Sequence, residues 1–284
     1  MHQVRQRWGW RQPRPASPKP VTESSVRKKD EVLAEIKGSL KLLQLGLSEA
    51  VWQTRCVICD VPGVALCDKC SRELPYLDQL SSCPTCGAPW GRGICCECNQ
   101  QTLHWKGLAH FPLDGCVSVV LLSPETKRIV TVFKDRGEQQ LSGIIARHMA
   151  NVLPPSWQAG AALVPIPARI NAVRERGFDH VSLIGAELSR MTGMPLTPLL
   201  RARPHRDQRN LDAKQRLANM VGSFDLEPNA ALPYRSALKT RLGISPRIIL
   251  IDDVFTTGAT LFTAGNTLRA AGAKEVYAVT FIRA

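Results

Sequence analysis

No segment of the 284-residue chain approaches the roughly 18 uncharged apolar residues that a membrane span requires. That excludes a helical integral membrane protein. With 44% apolar and 21% charged residues, the composition is that of a soluble globular protein, here read as cytoplasmic. Acidic residues are scarce at the start: residues 1–29 carry eight Lys and Arg against Glu23 alone, a net seven of the chain's +13. This segment lacks both hydrophobic periodicity and the apolar core of a secretory signal, so residues 1–30 read as a disordered basic leader. It is a solvated tail, a nucleic-acid-binding arm or a transit peptide. Cysteine is absent before residue 56 and occurs after residue 98 only at Cys116. A disulfide scaffold needs an oxidising compartment, and the missing signal argues against one.

The other nine cysteines lie between residues 56 and 98, as the pairs Cys56/Cys59, Cys67/Cys70, Cys83/Cys86 and Cys95/Cys98 plus Cys96. Each C-x2-C pair curls the backbone so that two thiolates face one point, and two pairs complete a tetrahedral sulfur shell suited to Zn²⁺. One or two zinc ions follow. An iron–sulfur cluster would use the same ligands, but the doubled ribbon-like spacing favours zinc. Sequential pairing of the four motifs is the simple arrangement; a cross-braced one would use the same residues. Cys96 should point away from the metal, and Cys116, inside a predicted strand, reads as a small buried hydrophobe. Closed four-cysteine sites replace a core that so short a segment cannot build. The module's plain role is therefore structural, with DNA or protein binding as the alternative.

Residues 31–55 carry apolar positions at helical spacing interrupted by Gly38 and Gly46, a short helical segment. Beyond the cysteine module (56–104), strand-like and helix-like segments alternate through 105–284, with no internal repeat. "CVSVVLL", "AALVPIP", "RIILIDD" and "EVYAVTFIR" read as strands; "PETKRIVTVFKDRG", "EQQLSGIIARHMANVL", "FDHVSLIGAELSRMTG" and "GATLFTAGNTLRAAGA" read as helices. Alternation of this kind implies right-handed crossovers and an α/β fold with a mainly parallel sheet flanked by helices.

In "RIILIDDVFTTGAT" (247–260) a continuous apolar run, the mark of a strand buried on both faces, meets two aspartates. Asp252 and Asp253 then sit at the carboxyl end of a central strand, where open α/β sheets bind ligands. Two adjacent carboxylates there repel unless a cation or hydroxyl donors join them. Thr256, Thr257, Gly258, Ala259 and Thr260 form a small-residue turn into a helix, whose free amides and dipole suit a phosphate. Carboxylates for a ribose diol beside amides for its 5-phosphate describe a sugar-phosphate ligand.

"IILIDDVFTTGAT" (248–260) resembles the phosphoribosyl diphosphate (PRPP) motif of type I phosphoribosyltransferases. "LVPIPARINAVRERGFDH", "FKDRG" and "RDQRNLDAKQRLANMVGSF", preceded by four cysteine pairs, are similar to segments of the ComF family (ComFC or GntX-like proteins), associated with bacterial competence. The resemblance covers about residues 45–284 and implies a double zinc ribbon followed by a type I phosphoribosyltransferase-like domain. It implies a Mg²⁺-dependent glycosyl transfer from PRPP to an unidentified acceptor, with links to competence and DNA uptake. The alternative is a non-catalytic nucleic-acid or partner-binding competence protein that retains a phosphate site. Asp252 and Asp253 would hold the ribose diol with Mg²⁺ nearby, and the loop from Thr256 to Thr260 the 5-phosphate. Ile166, Pro167, Ala168 and Arg169 match the position of the pyrophosphate loop. Lys134 and Arg136, in a turn before Gly137, could reach the diphosphate, and Arg174 and Arg176 read as helix-start charges or diphosphate contacts. The basic stretch from Arg201 to Arg216 resembles a flap that excludes water. It could also meet single-stranded DNA, although it lacks base-stacking aromatics. Asp135, Asp179 and His180 depart from the family's usual residues; none of them is expected to touch the acidic pair or the phosphate loop.

Overall fold

The computed structural model describes residues 53–203, 223–227 and 247–284. The leader, most of the helical segment before residue 53, and Arg206, Arg209, Lys214 and Arg216 lie outside the described residues. Thr54–Ala284 forms one compact unit.

Four strands, β1 (Gly115–Leu121), β2 (Ala161–Pro165), β5 (Arg247–Phe255) and β6 (Glu275–Arg283), make an all-parallel sheet in the order β1-β6-β5-β2. Two short strands, β3 (Leu200–Ala202) and β4 (Phe224–Leu226), pair antiparallel beside it. The long apolar runs have a direct cause. Ile249, Ile251, Val279 and Phe281 enter one core, while Ile248, Leu250, Val276 and Ala278 enter a second on the other face. A parallel strand covered on both sides has no solvent face on which to place polar residues.

The first face is covered by α3 (Pro124–Asp135), α4 (Leu141–Val152) and α7 (His180–Thr192), which contribute Ile129, Phe133, Ile145, Met149, Ile184 and Leu188. Helix α3 begins with a capping box between Ser123 and Thr126 and a proline in its first turn, a strong start signal. The second face is covered by α8 (Ala259–Ala270) through Leu261, Phe262 and Leu268. Between β2 and α7 runs the short α6 (Ile170–Arg176), closed by Gly177 in the left-handed region.

The two cysteine-rich segments hold short helices, α1 (Asp68–Arg72) and α2 (Gln100–Trp105), with α5 (Pro155–Gln158) a further single turn elsewhere. Cys56, Val57, Leu66, Cys70 and Leu74 share the first core with the sheet helices. The chain then runs along β1, where Leu77 N–H donates to Val119 and Leu121 N–H to Pro75, each at 2.9 Å. No helix among the described residues is long and apolar enough to cross a membrane.

Candidate active site and metal centres

The acidic pair marks the place where the sheet opens. β2 pairs with β5 only as far as Pro165 opposite Ile251. β5 continues beside β6, with Asp252 opposite Thr280 and Phe255 opposite Arg283. The strand therefore runs two residues past the expected end at Asp253, because β6 is long enough to pair with it. Past Ile251 the β2 side of β5 is free, and the turn after β2 begins there: Ile166 N–H donates to the Ile251 carbonyl at 2.9 Å. Ile166 is buried, Pro167 and Ala168 are half-buried, and Arg169 is exposed at the N-cap of α6. Register alone thus brings the acidic pair and the 166–169 turn to one edge.

Asp253 is buried and Asp252 half-buried. One Asp252 carboxylate oxygen accepts the Asp253 N–H at 2.9 Å. Lys134 Nζ forms an ion pair with Asp253 Oδ2, and His180 Nε2 lies 3.8 Å from Asp253 Oδ1. Burial, then the neighbouring Asp253 charge, push the Asp252 carboxyl well above the usual carboxylate range. Burial acts on Asp253 too, but the nearby His180 imidazole and the Lys134 ammonium outweigh it and hold that carboxyl below the usual range. Two adjacent acids thus have opposite proton affinities, an arrangement found at functional sites.

Three expectations change here. Lys134 does not sit in a turn: the capping box starts α3 firmly enough that the helix runs on to Asp135, and Lys134 lies in its last turn, held on Asp253. Arg174 and Arg176 are at the end of α6, not at a helix start. Arg176 lies 3.8 Å from Asp135 and 3.5 Å from His180 Nδ1. His180 is remote from the acidic pair in sequence but meets it in space. Asp179 acts locally, its side chain capping α7 by accepting the Val181 and Ser182 N–H groups. Nothing in the sequence signals the proximity of His180 to Asp253 beyond the departure at position 180. Arg201 and Arg203 pair with Asp225 at 3.7 and 2.5 Å and are not brought to the acidic pair.

The 256–260 loop leaves β5 and enters α8. Thr256 is exposed, Thr257 and Thr260 are half-buried, and Thr257 Oγ1 accepts the Ala259 N–H at 3.4 Å at the start of α8. Gly258 has φ of 78°, and a Cβ there would lie 2.4 Å from Phe262 Cζ and 2.8 Å from Phe255 Cζ. Glycine is required twice over, by backbone conformation and by ring contact. The space beside Gly258 is taken by the protein's own aromatics.

The eight paired cysteines gather sequentially, Cys56, Cys59, Cys67 and Cys70 in one group and Cys83, Cys86, Cys95 and Cys98 in the other. Within each group the sulfur atoms lie within 4.8 Å of one another, and the close pairs Cys59/Cys67, Cys83/Cys98 and Cys86/Cys95 stand 3.7, 3.6 and 3.5 Å apart. A tetrahedral site with Zn–S of about 2.3 Å has S···S edges of roughly 3.8 Å. The donor sets fit that ion and a double zinc ribbon. Against burial, backbone N–H groups from Cys59, Cys67 and Ile58 lower the Cys56 thiol to about 6. Burial first, then neighbouring thiols, raise Cys70 and push Cys98 up to about 12. Four thiols cannot ionise together without a cation to balance them. Cys96 is exposed outside both groups, and Cys116 is buried in β1.

No family model matches the chain. It is 32% identical over 239 residues to competence protein F of Haemophilus influenzae, an alignment covering 78% of this chain and 93% of that protein. It is 26% identical over 225 residues to ComFC of Bacillus subtilis, covering 78% and 85%, and 22% identical over 218 residues to ComFC of Streptococcus pneumoniae, covering 77% and 87%.

Proposed function

The chain belongs to the competence protein F/ComFC family, and we propose that it is a Mg²⁺-dependent phosphoribosyltransferase that binds PRPP at the carboxyl edge of its sheet. The observation that carries this reading is the placement of Asp252 and Asp253, adjacent near the carboxyl end of β5 and four residues or fewer from the loop that opens α8. Asp252 and Asp253 take the ribose hydroxyls. The amides and hydroxyls of Thr256, Thr257, Gly258, Ala259 and Thr260 take the 5-phosphate. Ile166, Pro167, Ala168 and Arg169 face the diphosphate. The raised proton affinity of Asp252 fits a nearby cation, and Mg²⁺ when bound would neutralise charge on the leaving diphosphate. The protein's own contribution is positioning and charge stabilisation, not proton transfer. Lys134 keeps Asp253 ionised and oriented. The acceptor is unassigned, and both four-cysteine groups hold structural Zn²⁺. The role is in competence, as the relatives' names suggest.

Thermal unfolding with PRPP tests this directly. At a concentration 100 times the dissociation constant, a ligand specific for the folded state adds about 2.7 kcal/mol of stability. A rise in Tm that requires Mg²⁺ and is absent in Asp252→Ala/Asp253→Ala supports the assignment. No shift, or a shift that survives the double substitution, overturns it.

A second reading, single-stranded nucleic-acid binding, is favoured by one feature. Trp90 and Trp105, both in the second cysteine-rich segment, are 81% and 75% exposed. Exposed indoles serve as stacking platforms worth about 1–3 kcal/mol per base. Salt-sensitive oligonucleotide binding weakened by Trp90→Ala/Trp105→Ala would support it, and absence of salt-sensitive binding would count against it.

A further inference from the structure

Arg283 ends β6 yet is only 2% exposed. A buried guanidinium is costly unless its charge and donors are met. Two of its three nitrogens are met, both from one direction: Nη1 donates to the Cys86 carbonyl oxygen at 2.6 Å and Nη2 pairs with the Glu97 carboxylate, while Nε has no partner among the described residues. Cys86 is one of the second group's four ligating cysteines, and Glu97 lies between two others, Cys95 and Cys98. The guanidinium carbon also stands 3.8 Å from the centroid of the Phe255 ring. Phe255 meets Phe262 edge to face at 6.0 Å, and these two rings bound the space in which Gly258 turns. A continuous chain of contacts thus runs from the second cysteine group through Arg283 and Phe255 to the loop that opens α8.

We propose that Arg283 is a positioning residue for the 256–260 loop, making the order of that loop depend on the second cysteine centre. The two centres are unequal in this respect. The first shares the main core, whereas the second has a core of Cys83, Cys86 and Ala88, with a few half-buried neighbours. Such a segment owes its fold to its metal. When the segment opens, the Cys86 carbonyl and the Glu97 carboxylate leave the guanidinium. An unpaired charge then cannot stay buried against Phe255, and the loop loses its support. The contact chain stands on the geometry alone; only its consequence for ligand binding rests on the proposed function.

Hydrogen exchange on the zinc-loaded full chain tests the proposal without reference to activity. Amide exchange at residues 256–262 should rise about tenfold in Arg283→Met and Cys98→Ser, and several-fold in the milder Glu97→Gln. Exchange at residues 161–165 in β2 should stay unchanged. Arg283→Lys, which keeps a charge for Glu97 but not the planar stack, should restore part of the protection. In Cys59→Ser the rise should be confined to residues 54–74. The proposal is overturned if exchange at 256–262 is unchanged in both Arg283→Met and Glu97→Gln. It is also overturned if β2 loosens equally, or if Cys59→Ser loosens the loop as much as Cys98→Ser while β2 stays protected. Affinity for PRPP–Mg²⁺ should fall about tenfold in Arg283→Met. If PRPP does not bind the unaltered chain, the proposed function fails while the exchange measurements still decide the role of Arg283.

Discussion

The same strands end very differently at the two edges of the sheet. At the amino edge Trp157 stacks on Tyr277 with centroids 4.4 Å apart, and Arg247 pairs with Glu275 at 2.5 Å while lying 5.8 Å from the Tyr277 ring centroid. The Asp114 carboxylate accepts the Val276 N–H at 2.6 Å and meets Arg269 at 2.8 Å. These charges each have an opposite partner, and the cluster needs no ligand. At the carboxyl edge two carboxylates are adjacent, a glycine is held in the left-handed region, and an arginine is buried under a cysteine knuckle. Local rules are kept at one end and broken at the other, a pattern expected where a fold gives up stability for function.

Substitutions should separate the two edges. The largest effect is expected from Gly258→Ala, which adds backbone strain of about 1–3 kcal/mol and forces a Cβ onto two phenylalanine rings. Unfolding by denaturant should show a loss of roughly 3 kcal/mol, together with weaker ligand binding. Asp114→Ala at the amino edge removes an acceptor from Val276 N–H and Arg269. It should cost about 1.5–3 kcal/mol, with Tm falling and ligand affinity unchanged.

Lys134→Met leaves Asp253 with the His180 imidazole, 3.8 Å away, as its remaining ion-pair partner among the described residues and should cost a similar or smaller amount, because Lys134 is partly exposed. Unlike Asp114→Ala, it should also change affinity. Asp252→Asn should go the other way, raising stability by about 0.5–2 kcal/mol while abolishing ligand binding.

The pH dependence of stability should also separate Asp252→Asn from the unaltered chain. A carboxyl raised in the folded state binds more protons there than in the unfolded chain, so stability falls as pH rises from the ordinary carboxylate range toward the raised value. That slope should vanish in Asp252→Asn. Asp253 and Glu275, both lowered, contribute stability that is kept at neutral pH and lost only in acid. The smallest effect is expected for Glu275→Gln, a half-exposed pair worth about 0.2–1 kcal/mol, with no effect on binding.

What could be read from sequence followed from locality. Four C-x2-C pairs within 43 residues bring their own geometry, and an apolar run into two aspartates can hardly be other than the end of a buried strand. The residues that could not be read act across the fold. Lys134 can be placed near the end of a helical segment, but its partner Asp253 lies 119 residues further along the chain and meets it only across the fold. His180 follows a helix cap and reaches Asp253 only once α7 packs on the sheet. Arg283 is a lone charge ending a hydrophobic strand, with nothing beside it in sequence to mark it as buried. Its burial depends on Cys86 and Glu97, which are 197 and 186 residues away.

The central claim, that the carboxyl edge binds a sugar diphosphate, is tested most directly by isothermal titration of PRPP, with and without Mg²⁺, into three proteins: the unaltered chain, Asp252→Asn/Asp253→Asn and Asp114→Ala. Binding should be Mg²⁺-dependent in the unaltered chain and in Asp114→Ala, and absent from the double variant. Binding that persists in the double variant, or is absent from the unaltered chain, would contradict the claim.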